Sequence, residues 1–180
     1  APALSPDGTQ AFVPSKQDNI LRGRLRDGLP LDFQSTVRSA SSRIVMAGET
    51  EDLASRLDHD NASLASAATF DPSGALLFVA LETSREVAVI DAHRRVQMLR
   101  VDTGIAPQAV QVSGDGRTLY VANFMSRSVA AYDITPLVVQ GQPSVTLRAT
   151  TQTVATEPLA AAVLKGKQLF YDARDTRLAR

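Results

Sequence analysis

Short apolar runs separated by polar turn residues fill most of the chain. The clearest pair stands in TLYVANFMSRSVAAYDI, residues 118–134. There one run over 119–121 and another over 129–132 flank Ser126 and Arg127, and Asp133 closes the second. Runs of this length bounded by turn residues read as β-strands, so the stretch predicts a hairpin. Nearly the same phrase, LLFVALETSREVAVID, stands earlier. Gly74 and Gly116 are 42 positions apart (116 − 74 = 42). At the same offset lie Phe78 and Tyr120, Val79 and Val121, Ala80 and Ala122, Ser84 and Ser126, Val87 and Val129, and Asp91 and Asp133. Seven ungapped matches at one offset mark an internal repeat. Strands are predicted at 65–70, 76–81, 86–91 and 96–101 in the first unit, and at 108–112, 118–123, 128–133 and 144–149 in the second. The turns DPSG and SGDG both end on glycine, where a tight turn takes a positive φ. A third, imperfect copy opens the chain: SPDGTQAFV (5–13) aligns on DPSGALLFV (71–79) at an offset of 66. The surplus, 14–42, is polar and contains glycine; it reads as a long excursion between two strands of one unit. Strand character returns in RIVM (43–46), with Met46 in the place of Asp91.

A period of 42 residues with four strands per unit is that of a β-propeller blade. The expected fold is therefore all-β: a partial β-propeller of about three four-stranded antiparallel blades over 1–150, with a linker and C-terminal helix over 151–180. The two phrases resemble the YVTN-type propeller repeat, whose signature runs turn, Leu-Tyr-Val-x-Asn, turn, Val-x-Val-Ile-Asp. Tyr120-Val121-Ala122-Asn123 matches that core, and Phe78-Val79-Ala80-Leu81 matches it with Leu81 in place of asparagine. The resemblance covers residues 4 to about 150. It implies a fold rather than a function, because such propellers serve as scaffolds, ligand platforms and enzymes. Propellers close with about four to eight blades, so three leave sheet faces that neighbours should cover. The favoured expectation is that the chain is a piece of something larger; the alternative is that copies self-associate through the exposed blade faces.

From Thr156 the period changes. Leu159, Ala162, Val163, Gly166, Leu169 and Phe170 recur at helical spacing, with Thr156 as the expected N-cap and Pro158 in the first turn. The segment is basic: Lys165, Lys167, Arg174, Arg177 and Arg180 against Asp172 and Asp175, or +5 − 2 = +3. GKQLFYDARDTRLAR (166–180) resembles the opening of a di-haem cytochrome c peroxidase-like domain, where Gly-Lys-x-Leu-Phe-Tyr and Arg-Leu-x-Arg lead into the first Cys-x-x-Cys-His. That resemblance implies a c-type haem downstream of Arg180 and a haem domain as the partner of these blades. A helix packed against the propeller is the alternative.

Composition narrows the chemistry. Lys plus Arg and Asp plus Glu both total 19, so no basic field draws nucleic acid or an anionic membrane. There is no cysteine, which removes disulfides, thiolate nucleophiles and a covalently attached haem from this stretch. No apolar run reaches the roughly 18 residues of a membrane span. The opening APALSPDGTQ lacks the basic start and apolar stretch of a signal peptide. LDHDN (57–61) is the one ligand-dense stretch: Asp58, His59 and Asp60, with Asn61 beside them, are the candidate metal ligands. Neighbours on extended chain point apart, so a polar inter-blade loop is the competing reading. His93 sits at a turn, and Asp91 and Asp133 are expected to accept hydrogen bonds from turn backbone. Arg22, Arg24 and Arg26 place three guanidinium groups close together, suited to carboxylates and phosphates, but no aromatic platform for nucleic acid accompanies them, and a solvated loop or a docking surface for a second domain is the favoured reading. Neither a G-x-S-x-G elbow nor a glycine-rich phosphate loop is present.

The expected function follows from the two resemblances together. The blades are read as a scaffold or interaction portion of an exported bacterial di-haem cytochrome c peroxidase-like oxidoreductase, periplasmic or at the cell surface. Neither catalysis nor a cofactor is assigned to this stretch itself. The alternative is a stand-alone cell-surface module that binds a protein or carbohydrate. A lactonase-like enzyme would need a metal on the central axis, for which convergent acids and histidines are few.

Overall fold

The computed structural model describes residues 1–18 and 37–177. These form three four-stranded antiparallel sheets, each a meander. Blade 1 contains β1 (Ala3–Leu4), β2 (Gln10–Asp18), β3 (Val37–Val45) and β4 (Thr50–Asp58). Blade 2 contains β5 (Ala65–Phe70), β6 (Leu76–Leu81), β7 (Glu86–Asp91) and β8 (Val96–Asp102). Blade 3 contains β9 (Pro107–Val112), β10 (Thr118–Asn123), β11 (Ser128–Asp133) and β12 (Thr146–Gln152). A short helix, α1 (Thr135–Gln140), precedes β12, and α2 (Ala161–Phe170) follows it. The blades pack face to face along their inner strands, β5 against β9 and β1 and β2 against β5. The fold is a partial β-propeller with a C-terminal helix.

Side-chain alternation explains why blade 2 has continuous apolar runs. In β6, Leu77, Val79 and Leu81 face blade 1, while Leu76, Phe78 and Ala80 face blade 3. A strand covered on both faces is apolar at every position, whereas one covered on a single face alternates. β10 does alternate: Leu119 and Val121 are buried against blade 2, and Tyr120 is 44% exposed on the far face.

The structure departs from expectation in three places. The excursion 14–42 is shorter than its sequence suggested, because β2 and β3 pair from Gln10↔Val45 out to Asp18↔Val37. Polar residues such as Ser15, Lys16, Ser39 and Ser41 belong to that ladder, which backbone hydrogen bonds can build without apolar side chains. The arginine triplet at 22–26 lies outside the described residues. α1 was not expected: a proline in its first turn and Gly141 in a left-handed C-cap bound one helical turn that buries Leu137. Finally, α2 starts at Ala161 rather than near Thr156, and Ala160 occupies the N-cap without a side-chain hydrogen bond. Its apolar stripe does not face the core, since no residue of α2 is buried.

Candidate functional site

Equivalent turns of blades 2 and 3 present the same rim. The β6–β7 turn places Arg85 at φ +58°, and the β10–β11 turn places Arg127 at φ +52°. Each left-handed residue is followed by an N–H from the segment leaving its blade: Thr103 N–H donates to Arg85 O at 2.9 Å and Thr153 N–H to Arg127 O at 2.7 Å. The repeated serines are part of this rim. Ser84 Oγ accepts from Ser63 N–H at 2.8 Å, and Ser126 Oγ accepts from Ile105 N–H at 2.7 Å. Serine at this offset therefore ties the turn to the loop that enters the blade, a role not visible from the repeat alone.

The C-terminal segment crosses this rim from blade 3 to blade 2. Arg127 Nε donates to Glu157 Oε2 at 3.0 Å, which with the Leu159 N–H holds the Glu157 carboxyl below its ordinary range. Beyond α2, Ala173 N–H donates to Thr83 O at 2.8 Å and Arg85 donates to Asp172 Oδ2 at 3.1 Å. Gln168 reaches Met125 O at 3.4 Å, and Arg174 pairs with Asp102. Tyr171 meets Phe124 edge to face at 6.1 Å, and the Arg127 guanidinium lies 5.1 Å over the Phe124 ring. The two left-handed arginines thus anchor the segment before and after α2. Phe170 is 79% exposed and Val163 51%, so the helix presents apolar side chains to solvent. An anchored element with an exposed apolar side suits binding another surface and shows no catalytic constellation.

The structure separates the three candidate metal ligands. Asp58 ends β4, paired with Ala40. His59 turns inward, 5% exposed, with its ring Nε2 2.8 Å from Ser41 Oγ and its backbone N–H donating to Ser39 O at 2.9 Å. Asp60 is exposed and pairs with Arg38. Among the described residues no group of three or more His, Cys, Asp or Glu side chains is placed to hold a metal ion. Burial, with the Arg100 charge adding to it, lowers the His59 pKa from 6.5 to about 4, so the imidazole is neutral near pH 7. The aspartates of the other turns act as expected. Asp91 Oδ1 accepts from the N–H groups of His93 and Arg94, with His93 exposed. Asp133 Oδ1 accepts from Thr135 N–H and Arg148 pairs with its other oxygen; the Thr135 side-chain and backbone hydrogen bonds, with Arg148 adding to them, lower its pKa to about 2.

No protein-family model and no curated protein sequence matches the chain. Solved structures do. A putative 6-phosphogluconolactonase from Bacteroides fragilis superposes with a TM-score of 0.59 at 15% identity, covering 84% of this chain and 38% of that one. Hydrazine synthase from Kuenenia stuttgartiensis gives 0.55 at 22% identity, over 73% of this chain and 31% of that one. The β-propeller domain of Cps50 (Swd1) from Myceliophteria thermophila gives 0.54 at 16% identity, over 84% and 57%. The chain therefore spans between about a third and somewhat over half of each. At these identities the likeness is one of fold, and it is to β-propellers.

Proposed function

We propose that residues 1–180 are the YVTN-type propeller portion of an exported bacterial di-haem cytochrome c peroxidase-like oxidoreductase. The blades act as a rigid scaffold that positions the haem domain, and they carry no redox chemistry themselves. What supports this reading is the course of the segment that resembles the opening of such a domain. Its residues Gly166, Lys167, Gln168, Leu169, Phe170 and Tyr171 run along the blade rim, tied down by the neighbouring Arg85–Asp172 and Arg127–Glu157 pairs, with Phe170 directed outward. A domain continuing from this helix would start from a fixed position on two blades, with an apolar surface to pack against. The exposed faces of blades 1 and 3 favour a second reading, a module that binds a protein or carbohydrate at the cell surface.

The coding sequence beyond Arg180 separates the two. A Cys-x-x-Cys-His motif there, with a covalent haem signature in the longer protein expressed in a cytochrome c-maturing host, is the expected result. Its absence would leave the binding module. Residues 1–180 purified alone should show no Soret band; one appearing without added cofactor would overturn the scaffold assignment.

A further inference from the structure

The turns of Arg85 and Arg127 hold equivalent positions in the repeat, 42 residues apart (127 − 85 = 42). Both place arginine in the left-handed conformation, where glycine would sit without strain. Each receives one carboxylate from the C-terminal segment, and the two carboxylates are held alike. Glu157 gives Oε2 to Arg127 Nε at 3.0 Å and Oε1 to Leu159 N–H at 3.0 Å. Asp172 gives Oδ2 to Arg85 Nη1 at 3.1 Å and Oδ1 to Arg174 N–H at 3.2 Å. In both, the second oxygen is taken by the segment's own backbone two residues on. Neither arginine therefore closes the two-bond fork that suits a guanidinium and a carboxylate.

At blade 3 the shortfall is made up, because Arg127 Nη1 also donates to Phe124 O at 3.3 Å. At blade 2 it is not. Arg85 Nε is buried without a hydrogen-bond partner among the described residues, and so is Thr83 Oγ1 in the same turn. A buried donor left unpaired costs free energy that a better-matched occupant recovers. The contacts of 171–173 define that match. Tyr171 lies edge to face on Phe124, Asp172 meets Arg85, and Ala173 N–H donates to Thr83 O. An aromatic residue, an acid and a free N–H in succession are what this seat reads. Its present occupant is lightly held, since α2 buries no residue and polar contacts flank it. Lifting the segment would leave Arg85 and Arg127 without their carboxylates, a positive rim beside the half-exposed ring of Phe124.

We propose that the Arg85 turn is a docking seat for an acidic peptide of a partner protein, and that the C-terminal segment is its displaceable resident. The peptide offers an aromatic residue followed by a glutamate with both oxygens free, which meets Arg85 through Nε and Nη1 together. Docking lifts residues 168–175 from the rim, so a partner bound to the blades changes where the chain beyond α2 is held. The proposal goes beyond the haem reading and needs no haem domain, so either can fail alone.

The probe is the peptide acetyl-Leu-Phe-Tyr-Glu-Ala-amide, titrated calorimetrically into residues 1–180. The tethered resident competes with it, so the wild-type chain should bind weakly. Asp172→Asn keeps an acceptor for Arg174 N–H but gives up the ion pair, and should bind about tenfold more tightly. Adding Arg85→Gln should remove that gain, as should glutamine in place of the peptide's glutamate. Equal affinity of the wild-type chain and Asp172→Asn, or a gain that survives Arg85→Gln, would overturn the proposal. Unchanged amide exchange in β6 and β7 shows that the variants keep their blades. In the wild-type chain at saturating peptide, exchange over 168–175 should become several-fold faster; binding without that acceleration would equally overturn it.

Discussion

His59 shows how a residue that looks like a ligand can be part of the core. Its ring is enclosed, bonded to Ser41, with Arg100 and Asp60 as the nearest charges of opposite sign. The folded chain keeps it neutral until the pH falls to about 4, whereas the unfolded chain takes up a proton near 6.5. Stability is therefore full above pH 6.5 and lost as the pH falls through that window, by about 3 kcal/mol in all. Urea midpoints measured from pH 7.5 down to about 4 should show this loss, and His59→Gln should flatten the slope. Gly104 is constrained by space rather than by charge. A Cβ there would stand 2.7 Å from Ser126 Oγ and 2.8 Å from Asn123 Cγ, against the rim of blade 3. Gly104→Ala should cost about 1–3 kcal/mol by overpacking, read as a lowered denaturation midpoint.

At the scale of elements, β6 and α2 are opposites. β6 is buried at every position, so Leu77→Ala should cost about 2–5 kcal/mol, while Tyr120→Ala in the equivalent strand β10, on an uncovered face, should cost far less. α2 contributes no residue to the core and is held by polar contacts on either side of it. Arg85→Ala should leave the blades intact while lowering overall stability by about 1–2 kcal/mol, because the pair it breaks is largely buried, the Arg85 side chain 34% and the Asp172 side chain 12% exposed. Amide exchange over 168–175 should accelerate markedly all the same, since Asp172 loses its side-chain partner and the Ala173 N–H to Thr83 O bond is left without that support. Unchanged exchange there would show that the aromatic contact of Tyr171 with Phe124 suffices.

The whole molecule is an arc with a protected middle. Blade 2 is covered on both sides and blades 1 and 3 on one each, and stability in a repeat architecture is built from neighbour interfaces. Hydrogen exchange should therefore be slowest in β6 and β7 and faster in the terminal blades; uniform exchange would mean that the outer faces are covered in solution. The formal net charge of zero adds no repulsion between such faces.

The repeat determines the blade assignment, because an unbroken offset of 42 aligns strands, turns and glycines together. Strand limits in blade 2 follow from apolar runs bounded by turn residues, and β6 and β7 fall where 76–81 and 86–91 predicted. What the sequence could not determine was direction and company. The periodic stripe of α2 is the same string of residues whether it faces a core or solvent, and only the packed structure shows that Phe170 points outward. His59 and its two aspartates are adjacent in the chain, but the turn after β4 buries the imidazole and leaves Asp60 exposed, so burial and a serine eighteen residues away decide its chemistry.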